Sequence, residues 1–86
     1  MTAEPSRENA LKVIDASIVR AGQRWRHYKS GNVYQVIAIG IMEASLDPAV
    51  VYAGRDGVVW VRSLSIFTGH AASGNALIPR FSLVED

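Results

Sequence analysis

"VVYAGRDGVVWV", residues 50–61, is the stretch on which the fold turns. Two runs rich in β-branched and aromatic residues flank Gly54-Arg55-Asp56-Gly57, whose residue types favour a tight turn. The pattern predicts a β-hairpin joining "VVYA" to "VVWV". An isolated hairpin is only marginally stable in water, so further strands must pair with it. The rest of the chain offers three: "QRWRHYK" (23–29), "VYQVIAIGI" (33–41) and "LIPRFSLV" (77–84), each short and bounded by turn signals. "SGN" (30–32) reads as a tight turn and "SLDP" (45–48) closes a longer connection. "SLSIF" (63–67) suits a single 3₁₀ turn, and "GHAASGN" (69–75) reads as a mobile loop of small residues. About five strands with no room for crossover helices imply an antiparallel sheet, which hides its edges by closing on itself. The expected fold is mainly β: a small SH3-like antiparallel barrel, with an OB-like barrel second.

Before Gly22 the apolar period is that of a helix. Leu11, Ile14 and Ile18 recur at three- and four-residue spacing, with Ala10 and Ala21 extending the stripe and Val13 at its margin. Pro5 and Ser6 supply a start signal and Gly22 a stop. The expected division is an N-terminal amphipathic helix in residues 1–21 and a small β-barrel domain in residues 22–86. A helix of about 15 residues is marginal alone, so its stripe must cover a surface. That surface is either its own barrel or a partner, for example a homodimer docked through Leu11, Ile14 and Ile18.

Composition narrows function by exclusion. A chain of 86 residues with 49% hydrophobic content supports one ordered domain. Without cysteine there is neither a disulfide framework nor a thiolate metal site. No apolar run approaches the roughly 18 residues that would span a bilayer, and "MTAEPSRENA" lacks the features of a signal peptide. A soluble cytoplasmic protein is expected. Nine Lys and Arg against eight Asp and Glu give a net charge of +1, so nucleic acid is not the favoured partner. His27 and His70 are the only histidines and show no metal-ligand spacing. There is no Gly-rich phosphate loop, no Gly-x-Ser-x-Gly elbow and no cysteine nucleophile, so neither a cofactor nor an enzymatic activity is expected.

The chemistry concentrates in "RWRHYKSG" (24–31). On a strand, Arg24, Arg26 and Tyr28 would share one face, and Trp25, His27 and Lys29 the other. Neither face is purely apolar, which suits a barrel rim or edge. The cluster is then a ligand surface of aromatics and cations, or a set of charges that discourages edge-to-edge pairing. In "VVWVR" the alternation predicts Val59 and Val61 pointing into the core. Trp60 and Arg62 would then lie together on the other face, able to stack a nucleobase or a proline-rich peptide. Arg80, between Pro79 and Phe81, is expected to pair with Asp47, Asp56 or Glu43. Candidate binding residues are therefore Arg24, Arg26, His27, Tyr28, Lys29, Trp60, Arg62 and Arg80. The expected function is a β-barrel binding module that recognises a protein segment. Single-stranded nucleic-acid binding and structural homo-oligomerisation are the alternatives.

Several separated elements occur in a fixed order: Arg26-His27-Tyr28-Lys29 with Gly31, then Tyr34 and Val36, then Pro48 with Val50-Val51-Tyr52. Trp60-Val61-Arg62 with Leu64 follows, and Phe67 and Pro79-Arg80-Phe81 close the series. In these residues the chain, over about positions 22 to 84, resembles domain of unknown function 1653, a short bacterial family. Trp25 stands where the family usually has Tyr, Ser30 separates Lys29 from Gly31, and Ser63 replaces a Pro. In "IMEASLDP" (41–48) the family's His has no counterpart, Asp47 stands for its second Glu, and Glu43 matches the first only with one residue inserted. The resemblance implies a compact SH3-like barrel and no established activity.

Overall fold

The computed structural model describes residues 6–85. Pro5, half of the expected helix start, lies outside them. The elements are α1 (Arg7–Ala16), β1 (Arg24–His27), β2 (Val33–Ile41), β3 (Pro48–Ala53), β4 (Val59–Ser63), α2 (Leu64–Phe67), β5 (His70–Ser73), β6 (Ala76–Pro79) and β7 (Phe81–Val84).

Ser6 caps α1 as its residue type suggests, its Oγ accepting the Asn9 N–H at 3.1 Å. The helix stops at Ala16, well short of Gly22. The Ser17 N–H bonds back to the Ile14 carbonyl, and Ser17 Oγ accepts the Val19 N–H at 3.1 Å, which turns the chain. The exposed last carbonyls are covered by Arg20. Its guanidinium donates to the carbonyls of Asp15 at 2.9 Å, Val19 at 2.9 Å and Ile14 at 3.3 Å, and also to that of Ser17. A cation there also opposes the negative end of the helix dipole. Replacing Arg20 by Ala is expected to cost about 1–2 kcal/mol, read as a lowered thermal midpoint with the fold retained.

Because the helix ends early, its apolar stripe divides. Ala10 and Val19 are buried and Ile14 is half-buried, whereas Leu11, Val13 and Ile18 are exposed. The inward residues rest on β2 and β3 of the same chain.

The strands form a five-stranded antiparallel sheet in the order β4-β3-β2-β1-β7 and a separate β5–β6 hairpin. The β3–β4 hairpin is the one that residues 50–61 predict. Gly57 at its tip has φ +80°, a conformation that glycine adopts without strain, and donates its N–H to the Gly54 carbonyl at 3.2 Å.

Several expectations are corrected. "GHAASGN" is not a loop: most of it forms the β5–β6 hairpin, which turns at Gly74 with φ +61°. "LIPRFSLV" is not one strand but two in different sheets. Pro79 has no N–H to give, and Arg80 leaves the hairpin, its N–H bonding the Gly69 carbonyl and its carbonyl accepting the Tyr28 N–H. "SLSIF" contains one α-helical turn, capped by Ser63 Oγ accepting the Ile66 N–H at 3.3 Å. The sheet does not close into a barrel, because β4 and β7 are its two edges. β1 lies between β2 and β7, so its cations do not guard an edge.

The core lies on the inner face of the curled sheet. Trp25, Val36, Val50, Tyr52 and Phe81 meet Val19 from the segment after α1, and Leu64 and Phe67 from α2. Phe67 stacks on Phe81 at 4.1 Å between ring centroids and meets Trp25 and Tyr52 edge-on at 5.5 and 5.4 Å. A register shift between Val36 and Ala38 gives β2 one extra residue. Ile37 is left outside, and Ile39 is turned onto the core that Val36 already faces.

Candidate functional site

Strand pairing sorts the candidate residues by face. In β1, Trp25 is buried and His27 half-buried on the inner side, while Arg24 and Arg26 are exposed on the outer side. Tyr28 and Lys29 sit in the turn that follows, and Arg26 Nη1 donates to the Gly31 carbonyl at 3.0 Å within that turn. Arg24 and Arg26 are thus separated from Trp60 and Arg62, with which the sequence grouped them.

The facing of β4 is the reverse of what its alternation suggests. Tyr52 is opposite Trp60 and Val50 opposite Arg62, and opposed residues share a face. Tyr52 and Val50 are core residues, so Trp60 and Arg62 point inward at its rim. Val59 and Val61 point outward, 56% and 57% exposed. β3 decides this, because its buried Tyr52 and Val50 fix which side of the hairpin faces the core.

His27, Tyr34, Tyr52, Trp60, Arg62 and Phe81 line a pocket of about 140 Å³ on the inner face. Every strand of the main sheet contributes to it. Its wall is a set of rings: His27 lies 4.9 Å from Phe81, Tyr52 is 5.6 Å from Phe81, and Tyr34 meets Tyr52 edge-on at 5.4 Å. Gly54 makes room for Tyr34, since a Cβ there would lie 3.0 Å from that ring. The Arg62 guanidinium sits 5.7 Å from the Phe81 ring centroid, so a cation–aromatic contact spans the gap between the unjoined edge strands.

The pocket's electrostatics have one sign. Burial holds the His27 imidazole below its ordinary value of 6.5, and the nearby positive charges of Arg62, Arg80 and Lys29 lower it further. Among the described residues no carboxylate lines the pocket. Arg80 does not form the ion pair expected with Asp47, Asp56 or Glu43: its Nε is buried without a hydrogen-bond partner. A histidine depressed in this way takes up its proton at a lower pH in the fold than in the unfolded chain, where it does so near 6.5. The unfolded state then holds more protons below that value, so stability rises with pH there. The His27 contribution should be complete above pH 6.5 and disappear as the pH falls through the folded value. Urea unfolding over this range, compared with His27→Gln, checks it through a smaller acid-side loss in the variant.

A larger groove of about 860 Å³ lies elsewhere, against α1 and α2, and Val13, Ile18, Trp25, Leu64 and Leu83 are among its mostly apolar lining. Among the described residues, Asp47 and His70 are the titratable side chains that line it, and they form no charge cluster. Among the described residues no three His, Asp or Glu side chains converge as metal ligands. No helix there is long and apolar enough to cross a membrane.

Residues 23–83 match the family described as "Protein of unknown function (DUF1653)". The chain belongs to that family. Neither a curated protein nor a solved structure matches it. The DUF1653 span contains the whole pocket and α2, and leaves α1 outside. Tyr34, Tyr52 and Phe81 were not among the candidate residues. Their aromatic side chains were legible, but their convergence depends on the strand register and the β2 bulge, which no local pattern reveals.

Proposed function

We propose that this DUF1653 chain is a binding module whose pocket seats a carboxylate from a protein segment. The observation that carries the proposal is a ring-lined pocket with Arg62 in its wall and, among the described residues, no acidic side chain; Arg80 and Lys29 lie near enough to act on His27, and Arg80 Nε is buried without a hydrogen-bond partner. An unsatisfied buried donor costs about 1–3 kcal/mol, and more when charged; an anion that reached Arg80 Nε from the pocket would remove that cost. Rings beside cations also suit a carboxylate whose apolar stem lies against the aromatic wall. At about 140 Å³ the space fits one side chain, below the roughly 300–1,000 Å³ of small-molecule sites. Binding without catalysis is the simpler role, since His27 has no carboxylate in the pocket to orient it as a base. The strand order, with α2 before the last strand, supports an SH3-like barrel opened along the β4–β7 seam.

The test is a chemical-shift titration with capped peptides of one sequence carrying Glu, Gln or Lys at the centre. The Glu peptide should move the His27 ring and the Trp60 indole resonances, and the other two should not. Equal responses to all three would remove the carboxylate from the account. Salt separates this from single-stranded nucleic acid, for which four phosphate contacts would give a log–log slope near −3.

A further inference from the structure

Among the described residues, β4 is an edge whose free side no strand occupies. Natural edges are blunted by charged side chains, above all lysine, and by proline, a bulge or extreme shortness, because a bare edge recruits another strand. β4 has no lysine, proline or bulge, and its one charge, the inward-pointing Arg62, lies over the Phe81 ring. It pairs with β3 at five consecutive positions without a register shift and contains neither Lys nor Pro. Val59, Trp60 and Val61 are all at least 50% exposed. β7, the opposite edge, has four residues, and Leu83 is its only exposed large apolar side chain.

We propose that β4 pairs with β4 of a second copy of this chain, antiparallel about a two-fold axis through Val61. A two-fold contact requires a strand that complements itself. With the axis at Val61, Trp60 stands opposite the second copy's Arg62, and Arg62 opposite its Trp60. Ring and guanidinium therefore meet twice on the inner face. On the outer face Val61 meets Val61, and Val59 meets Ser63. An axis at Arg62 would set two guanidiniums against each other, and like charges directly opposed are destabilising. An axis at Trp60 would place Arg62 against Val58 and lose both cation–ring pairs. The sequence Val59-Trp60-Val61-Arg62-Ser63 thus selects one register. This interface differs from a helix-mediated dimer, and it uses Trp60 and Arg62, which also line the pocket.

The chain has no cysteine, which makes the register directly testable. Under mild oxidation Val61→Cys should give a disulfide-linked dimer, since opposed positions at the axis fall within disulfide reach. Val59→Cys, displaced from its own counterpart, should stay largely unlinked. The unmodified protein should sediment as a dimer at micromolar concentration, and Val61→Lys should be monomeric with unchanged circular dichroism. Val61→Lys should also keep the response of His27 to the Glu peptide, which separates failure of this interface from failure of the pocket. A monomeric unmodified protein would overturn the proposal, as would equal cross-linking at positions 59 and 61. A dimer that survives Val61→Lys would overturn it too, and would point to the α1 surface.

Discussion

Phe67→Ala is expected to abolish cooperative melting near room temperature. Phe67 is fully buried and touches Phe81, Trp25 and Tyr52, so its ring connects α2 to strands β1, β3 and β7. Truncating a buried Phe costs about 3–5 kcal/mol, because the lost transfer energy is joined by an unfilled cavity. Whole domains hold only about 5–15 kcal/mol, and one of this size buries too little surface to reach the upper end. Phe67→Leu should lose less and remain folded. Urea unfolding followed by tryptophan fluorescence measures both. A loss under about 1 kcal/mol for the alanine variant would mean that α2 is not seated in the core.

Replacing Arg62 and Arg80 together by Ala should weaken the Glu-peptide interaction by about two to four orders of magnitude. Each charge-assisted contact contributes about 1.5–3 kcal/mol, and 1.4 kcal/mol is tenfold in affinity. The fold should be retained with a loss of about 0.5–1 kcal/mol from the Arg62–Phe81 contact, since among the described residues neither cation is ion-paired and the Arg80 Nε is already unsatisfied. Arg24→Ala with Arg26→Ala, on the outer face, should leave peptide binding unchanged. Titration calorimetry on the two double variants reads the contrast. Equal losses would show that the basic cluster acts as a diffuse field and the inner pocket has no special part.

The β3–β4 hairpin was legible because its turn residues and its strand residues point to the same structure. Ser6 was legible as a cap for the same reason: the signal is local. What failed was non-local. Alternation in β4 shows that Val59 and Val61 share a side, but not which side. That is settled by Tyr52 and Val50 across the hairpin. The extra residue at Ile37 reverses the parity of β2 without any glycine or proline to announce it. The end of α1 lies earlier than Gly22 because Arg20 reaches back to cover the helix carbonyls, a contact that no local pattern announces. Closure into a barrel was inferred from the need to protect edges, whereas β4 and β7 remain unpaired edges with a cation–ring contact between Arg62 and Phe81 across them. The site followed the same division. His27, Trp60 and Arg62 stood out by type and line one pocket, whereas Arg24 and Arg26 stood out equally and face away.

The central claim is that cations converge on an uncharged imidazole in a pocket that accepts a carboxylate. The most direct test is an NMR pH titration of the His27 ring in the free protein, with the Glu peptide bound, and in Arg62→Ala. The account predicts a midpoint below 6.5 in the free protein that rises in both other cases, because each reduces the positive field at the ring. A midpoint at or above 6.5 that neither the peptide nor the substitution moves would contradict it.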